Sequence, residues 1–304
     1  VQVRRVDAFG RLAPDQKARI VEALQAGGEV VGFLGDGIND VPGLRAADIG
    51  LSVAGASGVA QAAADMILLA PDLEVAAAGV AAGRRTFANI LKYIRMGASS
   101  NFGNMLSMAL ASVALPFLPM LPMQILLNNL LCDLSEVGIP FDRVRPESVA
   151  RPQAWDMAAL LRFAAVMGPL SSLFDGLTFT VLLLVFGADE EVFRSAWFLE
   201  SMATQILVII VIRTRGRFWR DRPSAALAAT ALVALAVALA VPFTPLGPTL
   251  GFEPPPPAML VTIAAITIAY LAAAEAIKPF AIGASAAPAD TPAPHLDTTV
   301  GPSR

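Results

Sequence analysis

One cysteine, one histidine and two tyrosines in 304 residues leave little material for several classes of chemistry. Cys132 alone cannot close an intramolecular disulfide. With His295 as the only imidazole there is no CxxC pair and no Cys/His cluster to hold zinc or copper. Charge is also scarce, at 15% of residues, and 22 basic against 25 acidic side chains give a net charge of −3 and a pI near 5.3. That balance removes the electrostatic case for a nucleic-acid binder. The first thirty residues have neither the apolar core nor the small-residue cleavage site of a secretory signal. There is no initiator Met, so the sequence is expected to begin inside a longer protein. What is abundant is apolar: 56% hydrophobic residues and a mean hydropathy of +0.63 exclude an ordinary soluble pair of domains and place much of the chain in lipid.

Residues 1–82 read as soluble α/β. Pro14 opens a helix that closes on Gly27 and Gly28, and Glu29 to Leu34 is a short apolar run ending in GDG. ADIGLSV and MILLA repeat the strand pattern with a helical GVAQAAAD between them, which predicts part of a doubly wound parallel sheet. Residues 83–95 read as a stalk helix. Residues 96–280 hold six candidate spans of roughly 18 to 24 residues, the length that crosses the hydrocarbon core: Met96 to Leu115, Met120 to Phe141, Phe163 to Phe186, Ser195 to Ile212, Ser224 to Pro242 and Ala258 to Ile277. Residues 281–304, rich in Ala, Pro and Thr, are expected to form a disordered tail.

Arginine placement gives an orientation. Basic residues crowd the stalk (Arg84, Arg85, Lys92, Arg95), the connection with Arg143, Arg145 and Arg151, and the connection from Arg213 to Arg222. The alternate connections are nearly bare, so the soluble part and the C-terminus are expected in the cytoplasm of a multi-pass protein of the inner, or plasma, membrane.

The sharpest local signal is GDGINDVP, from Gly35 to Pro42, at the end of a predicted strand. Asp36 and Asp40, four apart in a Gly-rich turn, can converge on Mg²⁺, a hard cation that takes oxygen ligands beside phosphate. An acidic turn without a ligand is the alternative. The motif resembles the GDGxNDxP hinge of the P-type ATPases, ion pumps of the haloacid-dehalogenase superfamily. FGRLAPDQK (Phe9 to Lys17), AADMILL, GRRTFANILKYI, SSNFGN, LPFLPMLP and LLNNLLCDLSEVGIPFD extend the resemblance over residues 6–280, closest to the magnesium-transporting subgroup. Leu34 stands where the family often has Thr, and Val41 and Gly43 where it often has Ala.

The resemblance implies a haloacid-dehalogenase-like partial domain followed by membrane helices five to ten. It implies Mg²⁺ on Asp36 and Asp40, Asn39 in the same pocket, backbone approach at Gly35 and Gly37, and Lys17 neutralising a phosphoryl group. ATP would be the substrate of the complete pump and an aspartate in a DKTGT motif its nucleophile. No DKTG occurs in these 304 residues. The chain alone is therefore expected to be inactive unless an N-terminal fragment supplies the missing domains.

Within the spans, Asn101 and Asn104 share one helix face and Asn129 and Asp133 another. A short hairpin is expected to turn these faces toward each other around a transported divalent cation, Mg²⁺ foremost, because a carboxylate in lipid is costly unless paired or ligating. Asp175 and Glu200 fit structural pairing and transport equally well, and Gln124 and Gln205 fit hydrogen bonding between helices. The rival readings are a catalytically dead membrane remnant acting as an assembly or regulatory partner, and an ion-coupled secondary transporter, which leaves GDGINDVP and Lys17 unexplained.

Overall fold

The computed structural model describes residue 3 and residues 6–70, 72–150 and 152–283. The chain divides into two units, Val1–Arg84 and Arg85–Arg304.

In the first unit, α1 (Pro14–Gln25) starts on a proline that needs no N–H partner, and the Ala13 N–H donates to Gln16 Oε1 at 2.9 Å. Three parallel strands follow in the order β1-β2-β3: β1 (Gly32–Leu34), β2 (Ile49–Val53) and β3 (Met66–Leu68). Phe33 lies opposite Gly50, and Ser52 opposite Ile67. Two short helices, α2 (Val41–Ala46) and α3 (Gly58–Ala63), make the crossovers. β1 is shorter than the expected run from Glu29, because the Val31 N–H goes to the Asp48 carboxylate at 2.8 Å and Val30 is exposed. Val21, Leu44 and Ala60 are buried. Ile49, Met66 and Ile67 stay exposed, as in a sheet too small to bury both faces.

α4 (Leu73–Ala114) runs from the end of the first unit into the second. The second unit continues with α5 (Pro122–Glu136), α6 (Pro146–Ala150), α7 (Met157–Leu184), α8 (Glu190–Ile212), α9 (Ala225–Ala240) and α10 (Pro257–Ile282). Carboxylate or hydroxyl caps fix three of these starts: Asp156 accepts from the Ala159 N–H, Asp189 from Val192 and Ser224 from Leu227.

Among the described residues, four helices are long and apolar enough to cross a membrane: Met157–Leu184, Glu190–Ile212, Ala225–Phe243 and Pro257–Ile282. They correspond to the third to sixth expected spans. The first expected span lies in the second half of α4. The second is shorter than expected: α5 has only 15 residues, ends at Glu136 and gives way to a 3-10 turn at Ile139–Phe141. Gly138 marks the break, since a Cβ there would strike Leu227 and Thr230. The backbone carbonyls freed at this break are taken up by side chains: Ser135 O accepts from Thr230 Oγ1, and Pro140 O from Asn89 Nδ2. Of the tail expected over 281–304, residues 281 and 282 belong to α10, and residues 284–304, with His295, lie outside the described residues.

α8 is the centre of the second unit. Of its most apolar stretch 83% is buried, against 22–28% for the other three candidate spans. Phe193, Trp197, Phe198, Met202 and Ile206 of α8 form a core with Leu131 of α5, Leu182 of α7 and Met259 and Ile263 of α10. α9 contributes Ala231, Ala234 and Ala238, side chains small enough for two helices to approach closely.

At one end of the helices Asp142 gathers several elements. Lys92 Nζ of α4 donates to its Oδ2 at 2.7 Å, Arg213 Nη1 reaches both oxygens at 3.3 and 3.1 Å, and the Ser224 N–H donates to Oδ1 at 3.1 Å. Burial pushes this carboxyl upward. The Lys92 hydrogen bond and charge, the charge of Arg213 and the Ser224 amide outweigh it and hold Asp142 below its ordinary value of 3.8.

Two outcomes follow from this packing. A234L should lower stability by about 1–3 kcal/mol, because Ala234 is fully enclosed, whereas V233L on the exposed side should not; thermal unfolding in detergent followed by tryptophan fluorescence separates them. A carboxyl depressed in the folded state contributes stability above about pH 4 and loses it as pH falls through the folded value. D142N should therefore cost about 3–5 kcal/mol near neutrality, leaving Lys92 and Arg213 without their carboxylate, and the variant's stability should change less than the wild type's below pH 4.

Candidate functional site

β1 ends at Leu34, and the chain turns through Gly35, Asp36 and Gly37 into a 3-10 turn at Ile38–Asp40 before α2 begins. This is the carboxyl edge of a parallel sheet, where α/β folds place ligands. A Cβ on Gly35 would overlap the Asp40 side chain, so the turn closes only around glycine. Lys17, in the first turns of α1, places Nζ 2.5 Å from Asp40 Oδ1. The other oxygen, Asp40 Oδ2, accepts from the N–H groups of Asp36 at 3.2 Å and Gly37 at 3.0 Å. Burial raises the Asp40 carboxyl, but the Lys17 hydrogen bond, the Gly37 amide, the Lys17 charge and the Asp36 amide together hold it below its ordinary value.

The structure thus joins Lys17, Asp36, Gly37 and Asp40, with Gly35 as the tight turn. It gives the two aspartates different surroundings. Both oxygens of Asp40 are engaged, whereas the side chain of Asp36 is exposed, as is that of Asn39. Of the two carboxylates expected to meet at one Mg²⁺, that of Asp36 is open and that of Asp40 is engaged by Lys17 and two backbone amides. Asp40 is the acceptor that orients the lysine. One open carboxylate beside a lysine and a glycine turn suits Mg²⁺, which is commonly held by one or two carboxylates together with substrate phosphates.

The polar residues of the second unit are distributed differently from the sequence expectation. Asn104 of α4 pairs reciprocally with Gln205 of α8: Asn104 Nδ2 donates to Gln205 Oε1 at 3.0 Å, and Gln205 Nε2 to Asn104 Oδ1 at 3.1 Å. Asn101, Asn129 and Asp133 are exposed on the second unit, and no hydrogen bond among the described residues links them to one another or to Asn104. Helix spacing correctly put Asn129 and Asp133 on one face; it carries no information about what that face meets. Asn128, one residue round, is buried instead and its Oδ1 has no partner.

Gln205 makes the hydrogen bonds between helices that the sequence led one to expect, and more than one of them. Its Oε1 also accepts from Cys132 Sγ of α5 at 3.0 Å, and its Nε2 donates to Ser201 Oγ, so one carboxamide serves α4, α5 and α8. The available signal was an amide in the middle of an apolar run. Asp175 is held by Ser107 Oγ at 2.6 Å and Trp197 Nε1 at 2.8 Å, which favours structural pairing over transport. Among the described residues, no three His, Cys, Asp or Glu side chains gather as a metal-binding group.

Comparison with known proteins bears on both units. Residues 117–280 match the family model for the cation transporting ATPase C-terminus, and residues 2–48 the one for haloacid dehalogenase-like hydrolase. The magnesium-transporting ATPase, P-type 1, of Salmonella typhimurium strain LT2 is 47% identical over 281 residues, which are 91% of this chain and 31% of that protein. Its namesake in Escherichia coli K12 is 47% identical over 282 residues, with the same shares. A putative cation-transporting ATPase of Methanocaldococcus jannaschii is 29% identical over 219 residues, 72% of this chain and 27% of that one. The chain therefore spans less than a third of the length of these curated relatives. Identity sustained across nine-tenths of the sequence, through the strand-end turn and the apolar helices alike, makes this chain a member of the P-type ATPases, corresponding to their C-terminal part.

Proposed function

We propose that the chain is the C-terminal part of a pump that uses ATP, through an aspartyl phosphate, to move a divalent cation across the membrane, with Mg²⁺ the first candidate. The observation that carries this reading is the Lys17–Asp40 pair set against the Asp36 and Gly37 amides at the end of β1. Lys17 presents its ammonium to a phosphoryl group, and Asp40 fixes where that ammonium sits. Asp36 offers the open carboxylate for the catalytic Mg²⁺, with Asn39 beside it. When bound, the ion neutralises charge on the transferring phosphoryl oxygens. Gly35 and Gly37 let the backbone approach the phosphate closely. The sequence holds no DKTGT, so the nucleophile and the ATP-binding surface belong to residues outside these 304, on the same polypeptide or on a separate N-terminal fragment.

In the membrane, the reading assigns Asn101, Asn104, Asn129 and Asp133 to the cation path. Three of them are exposed on this part of the pump, and a carboxylate left against lipid costs several kcal/mol. The exposed positions, Asn101 on α4 and Asn129 and Asp133 on α5, are therefore ones that further helices of the complete pump cover, with the cation held between. The second half of α4 and the short α5 complete a set of six spans, and the arginine distribution puts the strand-end turn and the C-terminus in the cytoplasm. α4, one helix of 42 residues that passes from polar to apolar sequence, is the lever that couples phosphorylation to the ion ligands.

Incubated alone with ATP labelled at the γ-phosphate, the chain should take up no acid-stable phosphate, whereas a complete pump containing it should; incorporation into the chain alone would overturn the assignment. D133N in that complete pump should slow cation transport by about tenfold or more while leaving the purified chain as stable as before, because Asp133 is exposed there. Unchanged transport would reduce Asp133 to a structural residue.

A further inference from the structure

A cavity in the second unit lies where α4, α7 and the end of α8 meet the loops around α6, and it is strongly basic. Its volume is about 700 Å³, and seven Lys or Arg side chains line it against three acids, Glu147, Asp156 and Asp221. Three of the bases are already matched: Lys92 to Asp142, Arg213 to Asp142 and Asp221, and Arg145 to Asp221. The other four, Arg95, Arg143, Arg162 and Arg215, make no ion pair among the described residues. Arg95 and Arg215 repel each other, and Asp156, the acid that offsets this, is already engaged as the N-cap of α7. Behind the wall, Arg213 Nε is buried and has no hydrogen-bond partner among the described residues.

Arginines that only set membrane topology need nothing beyond solvent around them. Here they surround a concave space with surplus positive charge. Six of the seven bases are guanidiniums, whose planar N–H forks match the oxygens of phosphate better than a lysine does. Trp155, 48% exposed, lines the same cavity next to the start of the apolar α7. An amphipathic ring beside clustered arginines is the chemistry expected where charged headgroups meet hydrocarbon.

We infer that this cavity is a binding site for a phosphate-bearing anion, presented either as the headgroup of an anionic lipid or as a free phosphate species, with Arg95, Arg162 and Arg215 as its main contacts. The site is separate from the strand-end turn and from the polar face of α5, and it does not depend on the chain's being part of a Mg²⁺ pump.

The test uses the full chain in nanodiscs and follows tryptophan emission, with W155F identifying the reporting ring. In discs of phosphatidylcholine alone, inorganic phosphate is titrated at fixed ionic strength. In a parallel series, phosphatidylglycerol replaces part of the phosphatidylcholine. A saturable Trp155 response to inorganic phosphate identifies the soluble source, and a response confined to the phosphatidylglycerol series identifies the lipid. In either case R95Q and R215Q should each weaken the response by about fivefold, and R95K and R215K by less. R162Q, on α7, gives the same reading if removal of Arg95 disturbs the fold. Absence of a response in both series, or a response of equal midpoint in wild type, R215Q and R162Q, overturns the site.

Discussion

Asp142 holds its carboxylate, kept charged by its donors, where the side chain has no exposed surface. A carboxylate withdrawn from solvent costs several kcal/mol, and one counter-ion seldom repays that. Here Lys92, Arg213 and the Ser224 amide all donate to its two oxygens. The donors come from α4, the end of α8 and the start of α9, while Asp142 itself closes the turn that ends α5. The charge can be satisfied only if these segments are all in place, so it fixes their register as no apolar contact could. The close seat of α9's alanines and the enclosure of α8 depend on that register.

The first unit was largely readable in the sequence because its chemistry is local. Pro14, the GDG turn and the alternation of short apolar runs act within a few residues of one another, and the helix start and the parallel strands follow from them; the meeting of Lys17 with the turn, 23 residues along the chain, was legible only through the family resemblance. The membrane helices were legible where apolar length alone decides, as in α7 to α10. They were less so where distant partners decide. Gly138 and Pro140 mark in the sequence where α5 could break, but the contact of Gly138 with Leu227 and Thr230, about ninety residues along the chain, lies in no window of sequence. The same limit explains Gln205. An amide in an apolar run announces a hydrogen bond, but its three partners lie on three segments.

Asp36 and Asp40 show how one spacing can conceal two jobs. Four residues apart in an acidic turn, they read as equivalent ligands. The fold gives one of them a lysine and two amides and leaves the other open. A carboxylate that already accepts three hydrogen bonds keeps little free capacity, whereas an open one keeps all of it. The division of labour comes from the backbone, since the amides that engage Asp40 belong to Asp36 and Gly37 themselves.

The mutual amide grip between Asn104 and Gln205 bears on movement. Two hydrogen bonds close one small ring between neighbouring helices, so α4 cannot rotate about its own axis by a fraction of a turn and lose just one of them. Both must let go together. In an apolar surrounding such bonds contribute about 1 kcal/mol each, enough to make the helix rest in discrete positions yet little enough for thermal energy to release it. The pair therefore resists rotation of α4 against α8 more than a single hydrogen bond would.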